Sequence, residues 1–157
     1  MKGYFLTKEE YSFLESFSSF IVPSGENIKE EPGAKEVGTV NYIDSTLFDM
    51  PKEVQDHFRK SIQIVQDSAK KQFEKDFVLL MDSEKEALLK ELHLDHSTRD
   101  VIFELRSLAL EGFYSDYHDP AYNGKTAWEI LGFGGKRISD LKKDWSFLKI
   151  WRDSEKK

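Results

Sequence analysis

The sequence predicts an all-α protein: a compact single-domain helical bundle of about five to seven helices, with a Gly- and aromatic-rich loop segment near the C-terminus. Three observations carry that expectation. Apolar residues recur at helical spacing through most of the chain, and Ser/Thr-x-x-Glu pairs open several of those stripes. No stretch alternates apolar and polar residues for long, so no sheet is expected.

Each element can be justified in turn. Thr7 followed by Glu10 fits a capping box, and Phe13, Leu14, Phe17, Phe20 and Ile21 form a stripe that Pro23 stops. The polar run Ser24 to Gly33 reads as a surface loop. A short helix is expected from Ala34 to Leu47, with Val37, Val40, Ile43 and Leu47 on one face. Asp49-Met-Pro51 then opens the longest helix, because a proline's missing N–H is harmless in the first turn. Along it Val54, Phe58, Ile62, Val65, Ala69 and Phe73 recur at helical spacing. Ser83 with Glu86 marks a further capping box before Leu88, Leu89 and Leu92. A helix from Thr98 to Tyr114 presents Val101, Leu105, Leu108 and Ala109. Thr126 with Glu129 caps a short helical turn through Leu131, closed by Gly132. The tail from Asp140 to Trp151 repeats the pattern with Leu141, Trp145, Leu148 and Trp151. The expected division is a helical domain over residues 1–136 and a C-terminal amphipathic helix over 137–157.

Composition narrows the function classes. A chain of 157 residues is long enough for one domain with a sizeable core. Its 39% hydrophobic and 33% charged residues describe an ordinary globule, and 13% aromatics make large rings the main currency of core and interface. The net charge of -6 argues against nucleic-acid binding, which needs clustered Lys and Arg. Without cysteine there are no disulfides, thiolate metal sites or Cys nucleophile in this chain. The longest uncharged run, Ser16 to Gly25, is far below the roughly 20 apolar residues of a membrane span, so no direct membrane insertion is expected. Lys8, Glu9, Glu10 and Glu15 interrupt the N-terminus, so no signal peptide is visible. The expectation is a protein used without a leader, or one whose leader this sequence lacks.

The run from Glu111 to Gly135 concentrates glycines, aromatics, Pro120 and two aspartates beside a plain amphipathic helix. A helical core does not require that composition. Glycine permits close backbone approach, and Tyr and Trp give rigid contact area with a polar handle. Within it Asp116, His118 and Asp119 suggest a metal or acid/base module, set against a loop whose aspartates satisfy backbone N–H groups. His93 and His96 flank Asp95 in an expected connection, where solvated loop histidines are the favoured reading. There is no Glu-x-x-His motif for a di-iron bundle and no Gly-x-Ser-x-Gly, and Gly132-Phe-Gly-Gly135 lacks a preceding strand and a Walker lysine with Ser or Thr. The charge runs Lys29-Glu30-Glu31 and Glu84-Lys85-Glu86 read as solvated faces.

Two blocks of residues carry a family resemblance. Gly112-Phe-Tyr-Ser-Asp116, Pro120-Ala-Tyr-Asn-Gly124, Trp128 and Leu131-Gly-Phe-Gly-Gly135 resemble the signature region of the gluconate 2-dehydrogenase subunit 3 family. Ile21-Val-Pro23, Pro32 to Gly38 and Tyr42-Ile-Asp44 are similar to its N-terminal half, and Phe58 through Leu92 has its helical layout. The resemblance spans Phe13 to Gly135.

It implies a small, non-catalytic accessory subunit that binds a large flavin-dependent dehydrogenase subunit acting on sugars or sugar acids, stabilises it and helps it mature or be exported. FAD would belong to that partner, with no cofactor in this chain and a cytochrome subunit as an optional further member. The family implies a periplasmic setting reached by twin-arginine export, although no Arg precedes Arg59 here. Tyr117 and His118 interrupt the family's Asp-Pro join, Asn123 replaces a turn glycine and Gly134 replaces a proline. On composition and resemblance together, the partner-binding candidates are Phe113, Tyr114, Asp116, Tyr122, Asn123, Trp128 and Phe133. The competing readings are the Asp116, His118, Asp119 module and a standalone helical scaffold for an unrelated client.

Overall fold

The computed structural model describes residues 5–115, 119 and 121–132 of the chain. These residues form six α-helices and one short 3-10 turn, with no strand among them. The helices are α1 (Lys8–Ile21), α2 (Thr39–Phe48), α3 (Lys52–Phe73), α4 (Asp82–Leu94), α5 (Arg99–Phe113) and α6 (Ala127–Ile130), with the 3-10 turn at Phe77–Leu79. The all-α expectation holds. The amphipathic tail expected from Asp140 to Trp151 lies outside the described residues.

The ends of the helices show which local signals decide the fold. Helix α1 opens on the expected capping box, in which Glu10 N–H donates to Thr7 Oγ1 at 3.2 Å and Thr7 N–H to Glu10 Oε2 at 2.8 Å. Helix α2 begins at Thr39 rather than Ala34, because Gly38 takes a left-handed conformation at φ 78° that no α-helix continues through. Helix α4 opens at Asp82, and the Ser83–Glu86 box is not the one used. Its place is taken by Glu84, whose carboxylate accepts the Met81 N–H at 2.8 Å and the Lys75 ammonium at 2.7 Å. A salt bridge from outside the helix therefore selects the capping carboxylate. His93 falls in the last turn of α4 and not in the connection, while His96 lies beyond the Asp95 cap.

Rings dominate the main core. Phe13, Phe17 and Phe77 are each 0% exposed, with centroids 5.1–5.9 Å apart. Around them pack Val40, Ile43 and Leu47 of α2, Phe58, Ile62, Val65 and Ala69 of α3, Leu88, Leu89 and Leu92 of α4, and Ile102, Leu105 and Ala109 of α5. Val54, read from its spacing as part of the α3 stripe, stands 42% exposed in the first turn. Phe77 reaches the core because its N–H donates to Gln66 Oε1 at 3.0 Å, which ties the α3–α4 connection down on α3. Helix α5 is the hub, packing against α1, α2, α3 and α4.

Polar anchors hold the bundle's edges. Buried Asp44 accepts the N–H groups of Phe5 and Leu6 on one carboxylate oxygen, both at 2.8 Å. Arg59 stacks over the Phe5 ring at 4.2 Å and donates to Glu10 at 3.0 Å and to the Phe5 carbonyl at 3.2 Å. Ser97 N–H and Oγ both donate to Asp95 at 2.8 Å, which fixes the α4–α5 turn and depresses the Asp95 pKa.

The charge run Glu84-Lys85-Glu86 does not form one solvated face: Lys85 is buried, with only 9% of its surface exposed.

Helices α2 and α5 come close together at Gly112. A Cβ there would sit 2.8 Å from Thr39 Cγ2, 3.1 Å from the Thr39 carbonyl oxygen and 3.2 Å from the Tyr42 ring. Replacing Gly112 with Ala gains up to about 1 kcal/mol of helix propensity but overpacks this contact by about 1–3 kcal/mol. The expected outcome for Gly112→Ala is net destabilisation in urea melts, partly reversed by adding Thr39→Ser, which removes the nearest methyl group.

Acid stability should report on Glu84, whose pKa is depressed by its hydrogen bonds with Lys75 and the Met81 N–H. A carboxylate held below its unfolded pKa of about 4.3 stabilises the fold fully above that value, and the contribution fades as pH falls through the lower folded value. In thermal melts, the gap between wild type and Glu84→Gln should be constant from about pH 7 to about pH 5 and close below about pH 4. A gap that widens in acid would contradict the assignment.

Candidate functional site

The segment after α5 is bound to the rest of the chain through a second, smaller core. Phe113, the last residue of α5, packs with Val37 and Ala127, and Val22 and Tyr122 lean against them. Val37 was expected on the face of α2. It sits instead in the turn that Gly38 terminates, which turns it toward Phe113.

Backbone hydrogen bonds complete the attachment. Asp119 N–H donates to the Val37 carbonyl at 3.1 Å, and Lys125 N–H to the Lys29 carbonyl at 2.7 Å. The Tyr122 hydroxyl lies 3.0 Å from the carbonyls of both Ile28 and Lys125, and its one proton serves either. Burial first, and then the carboxylates of Glu36, Glu129 and Glu30, push the Tyr122 pKa up. Lys125 pairs with Glu30, and that hydrogen bond raises the lysine's pKa. The loop Ser24 to Gly33 is thus the seat on which the Gly- and aromatic-rich segment rests. Gly124 is what permits the close fit, since a Cβ there would lie 2.2 Å from the Tyr122 hydroxyl and 2.8 Å from Lys29 Cα.

The segment ends in the expected capping box. Thr126 N–H donates to Glu129 Oε2 at 2.8 Å, and Glu129 N–H to Thr126 Oγ1 at 3.4 Å, so α6 forms despite having only 4 residues. Helix α6 buries Ala127 and leaves Trp128 39%, Ile130 45% and Leu131 55% exposed. Tyr114, which caps α5, is 41% exposed and meets the Phe113 ring edge-on at 5.0 Å.

The candidates named from the sequence therefore separate. Phe113 and Tyr122 are spent on the small core, while Tyr114, Asn123 and Trp128 are exposed. Asp116 and Phe133 lie outside the described residues, as do Tyr117 and His118. Asp119 Oδ1 accepts the Ala121 N–H at 2.9 Å, and its carbonyl accepts Tyr122 N–H at 2.9 Å, the pattern of a turn-forming aspartate. Among the described residues, no group of three or more His, Asp or Glu is placed to hold a metal ion. None of their helices is long and apolar enough to cross a membrane. Sequence reasoning missed Val37, Ile28, Lys29 and Glu30 as the seat. Their only sequence signal is the lysine–glutamate complementarity between the two loops.

The described residues thus form a helical domain that displays aromatic and aliphatic side chains on a pinned, glycine-dependent segment. The gluconate 2-dehydrogenase subunit 3 family model matches residues 8–135, and the chain belongs to that family. No curated protein and no solved structure matches it.

The seat makes a local prediction. Gly124→Ala should weaken the attachment of residues 121–132 by about 1–3 kcal/mol, the usual range for overpacking. Limited proteolysis should then cut this segment several-fold faster while the main helical melt stays nearly unchanged. Unaltered cleavage would mean that the close fit to Tyr122 and Lys29 is not what holds it.

Proposed function

We propose that this chain is the non-catalytic small subunit of a flavin-dependent sugar or polyol dehydrogenase complex. It binds the large FAD-carrying subunit, stabilises it and assists its maturation or export. Family membership over residues 8–135 is the observation that carries this reading. The large subunit would hold the flavin and abstract the hydride. This chain would contribute by burying surface, which shifts the partner's equilibrium toward the folded holoenzyme.

The site's geometry supports a docking role. Trp128 is a rigid aromatic side chain on an element already ordered by Tyr122, Lys125 and the Thr126–Glu129 box, and Tyr114 is held at the end of α5 against the Phe113 ring, so little further entropy is lost when a partner covers them. With Ile130 and Leu131 beside Trp128, α6 offers an apolar contact of the kind found at interface centres.

Co-expression with the large flavoprotein subunit tests the reading. Affinity purification of this chain should recover that subunit in stoichiometric amount, with flavin absorbance in the visible spectrum. Tyr114→Ala and Trp128→Ala should each reduce recovery at least ten-fold, an effect of about 1.4 kcal/mol or more, while lowering the melting temperature of the isolated chain only slightly. An equal loss of recovery and thermal stability would make both residues ordinary core. A colourless chain recovered alone would overturn the accessory-subunit reading.

A further inference from the structure

The chain has three asparagines, Asn27, Asn41 and Asn123, in three different settings. Asn41 lies inside α2, where its Oδ1 accepts the Tyr11 hydroxyl at 3.0 Å and the next amide, Tyr42 N–H, donates to the Gly38 carbonyl at 3.3 Å. Asn27 Oδ1 accepts the Lys29 N–H at 3.3 Å and is followed by the branched side chain of Ile28. Asn123 is exposed, lies in irregular backbone ahead of α6, and is followed by Gly124. Neither its side-chain amide nor the Gly124 N–H makes a hydrogen bond among the described residues.

That combination suits intramolecular imide formation. A backbone amide free of hydrogen bonds can lose its proton to hydroxide, and its nitrogen reaches Cγ of the preceding asparagine most readily where its own residue has no Cβ in the way. At this site the Gly124 nitrogen bonds to Asn123 Cγ, the Cγ–Nδ2 bond breaks, and ammonia leaves with a proton taken from water. Water then opens the ring at either carbonyl carbon. Opening at Cγ gives aspartate. Opening at the main-chain carbon gives isoaspartate, whose backbone runs through Cβ and Cγ. Nothing is oxidised or reduced, and the net change is an amide and water to a carboxylate and ammonia.

The place of Asn123 in the chain gives the reaction a consequence. Tyr122 before it is fixed through its hydroxyl, 3.0 Å from the Ile28 and Lys125 carbonyls, and Lys125 beyond it through its N–H on the Lys29 carbonyl at 2.7 Å. An isoaspartate between these anchors lengthens the backbone by one carbon, so the two lose their register on the seat. Either product also adds a carboxylate where Glu30, Glu36 and Glu129 already bear on Tyr122 and where Lys125 is already paired with Glu30. A negative charge added beside others of the same sign is disruptive.

We propose that Asn123 is a spontaneous modification site: it passes through a cyclic imide with Gly124 to isoaspartate and aspartate, and the product releases residues 121–132 from the loop Ser24 to Gly33. The seated segment therefore has a limited chemical lifetime, while the helical bundle beneath it stays intact. The reaction needs only water and hydroxide. It is independent of the accessory-subunit reading, whose failure would leave it standing.

The test incubates the full chain, wild type and Asn123→Gln, in warm buffer from neutral to mildly alkaline pH. Peptide mapping by mass spectrometry follows each asparagine and separates aspartate from isoaspartate. Wild type should lose the Asn123 amide at least about ten-fold faster than that of Asn27 or Asn41, a barrier lower by about 1.4 kcal/mol or more. Isoaspartate should be among the products, and the rate should rise with pH. Chymotryptic cleavage after Trp128 should become several-fold faster in aged wild type and stay constant in aged Asn123→Gln, whose longer side chain closes the ring far more slowly. An Asn123 amide that lasts as long as those of Asn27 and Asn41 overturns the proposal. Conversion at 123 with unchanged cleavage after Trp128 overturns the release from the seat. If Asn123→Gln fails to fold, cleavage of converted and unconverted wild-type chains, separated by ion exchange, decides alone.

Discussion

The contact between Gly112 on α5 and Thr39 on α2 is the constraint on which the arrangement of this molecule depends. Only a residue without Cβ lets the two helices meet there. That approach falls one residue before α5, the hub of the bundle, comes to its end. Phe113 follows directly and is delivered onto Val37, so the main core leads into the small one without a gap in the chain. Tyr114, one position further, caps α5 and is 41% exposed.

Beyond that point the chain is held by a few specific polar contacts, because only a handful of apolar residues is available to bury. Tyr122, Lys125 and Asp119 each reach across to the earlier loop or to Val37, far back in the sequence. The result is an ordered element with an apolar outer face. Ordering before association reduces the entropy lost on binding, which is how this segment would serve the proposed docking role. Its stability is separable from that of the bundle, since few buried contacts join the two.

What could be read from the sequence follows from the range of the forces involved. The Thr7–Glu10 and Thr126–Glu129 boxes were legible because both partners lie within one helical turn. The stripes of α1, α3 and α5 were legible because periodicity is also local. Helix α2 was placed too early because Val37 fits its apolar pattern, and only the left-handed geometry at Gly38 removes it. The α4 start was misplaced because Lys75, outside the helix, selects Glu84 over Glu86. At the candidate site, the aromatic concentration was visible but its division was not. Phe113 and Tyr122 turn inward owing to Val37 and Ile28, partners that spacing cannot name. Lys85 shows the same limit, because a charge run gives no sign that one member lies over a core ring.

The proposal to be tested is that Tyr114 and Trp128, both exposed, are covered by a large flavin-bearing subunit. Radical footprinting by mass spectrometry, on the isolated chain and on the co-purified complex, addresses it most directly. The account predicts that both side chains are readily oxidised in the isolated chain and strongly protected in the complex, while buried Phe113 reacts little in either. Equal oxidation of Tyr114 and Trp128 in the two states would contradict it.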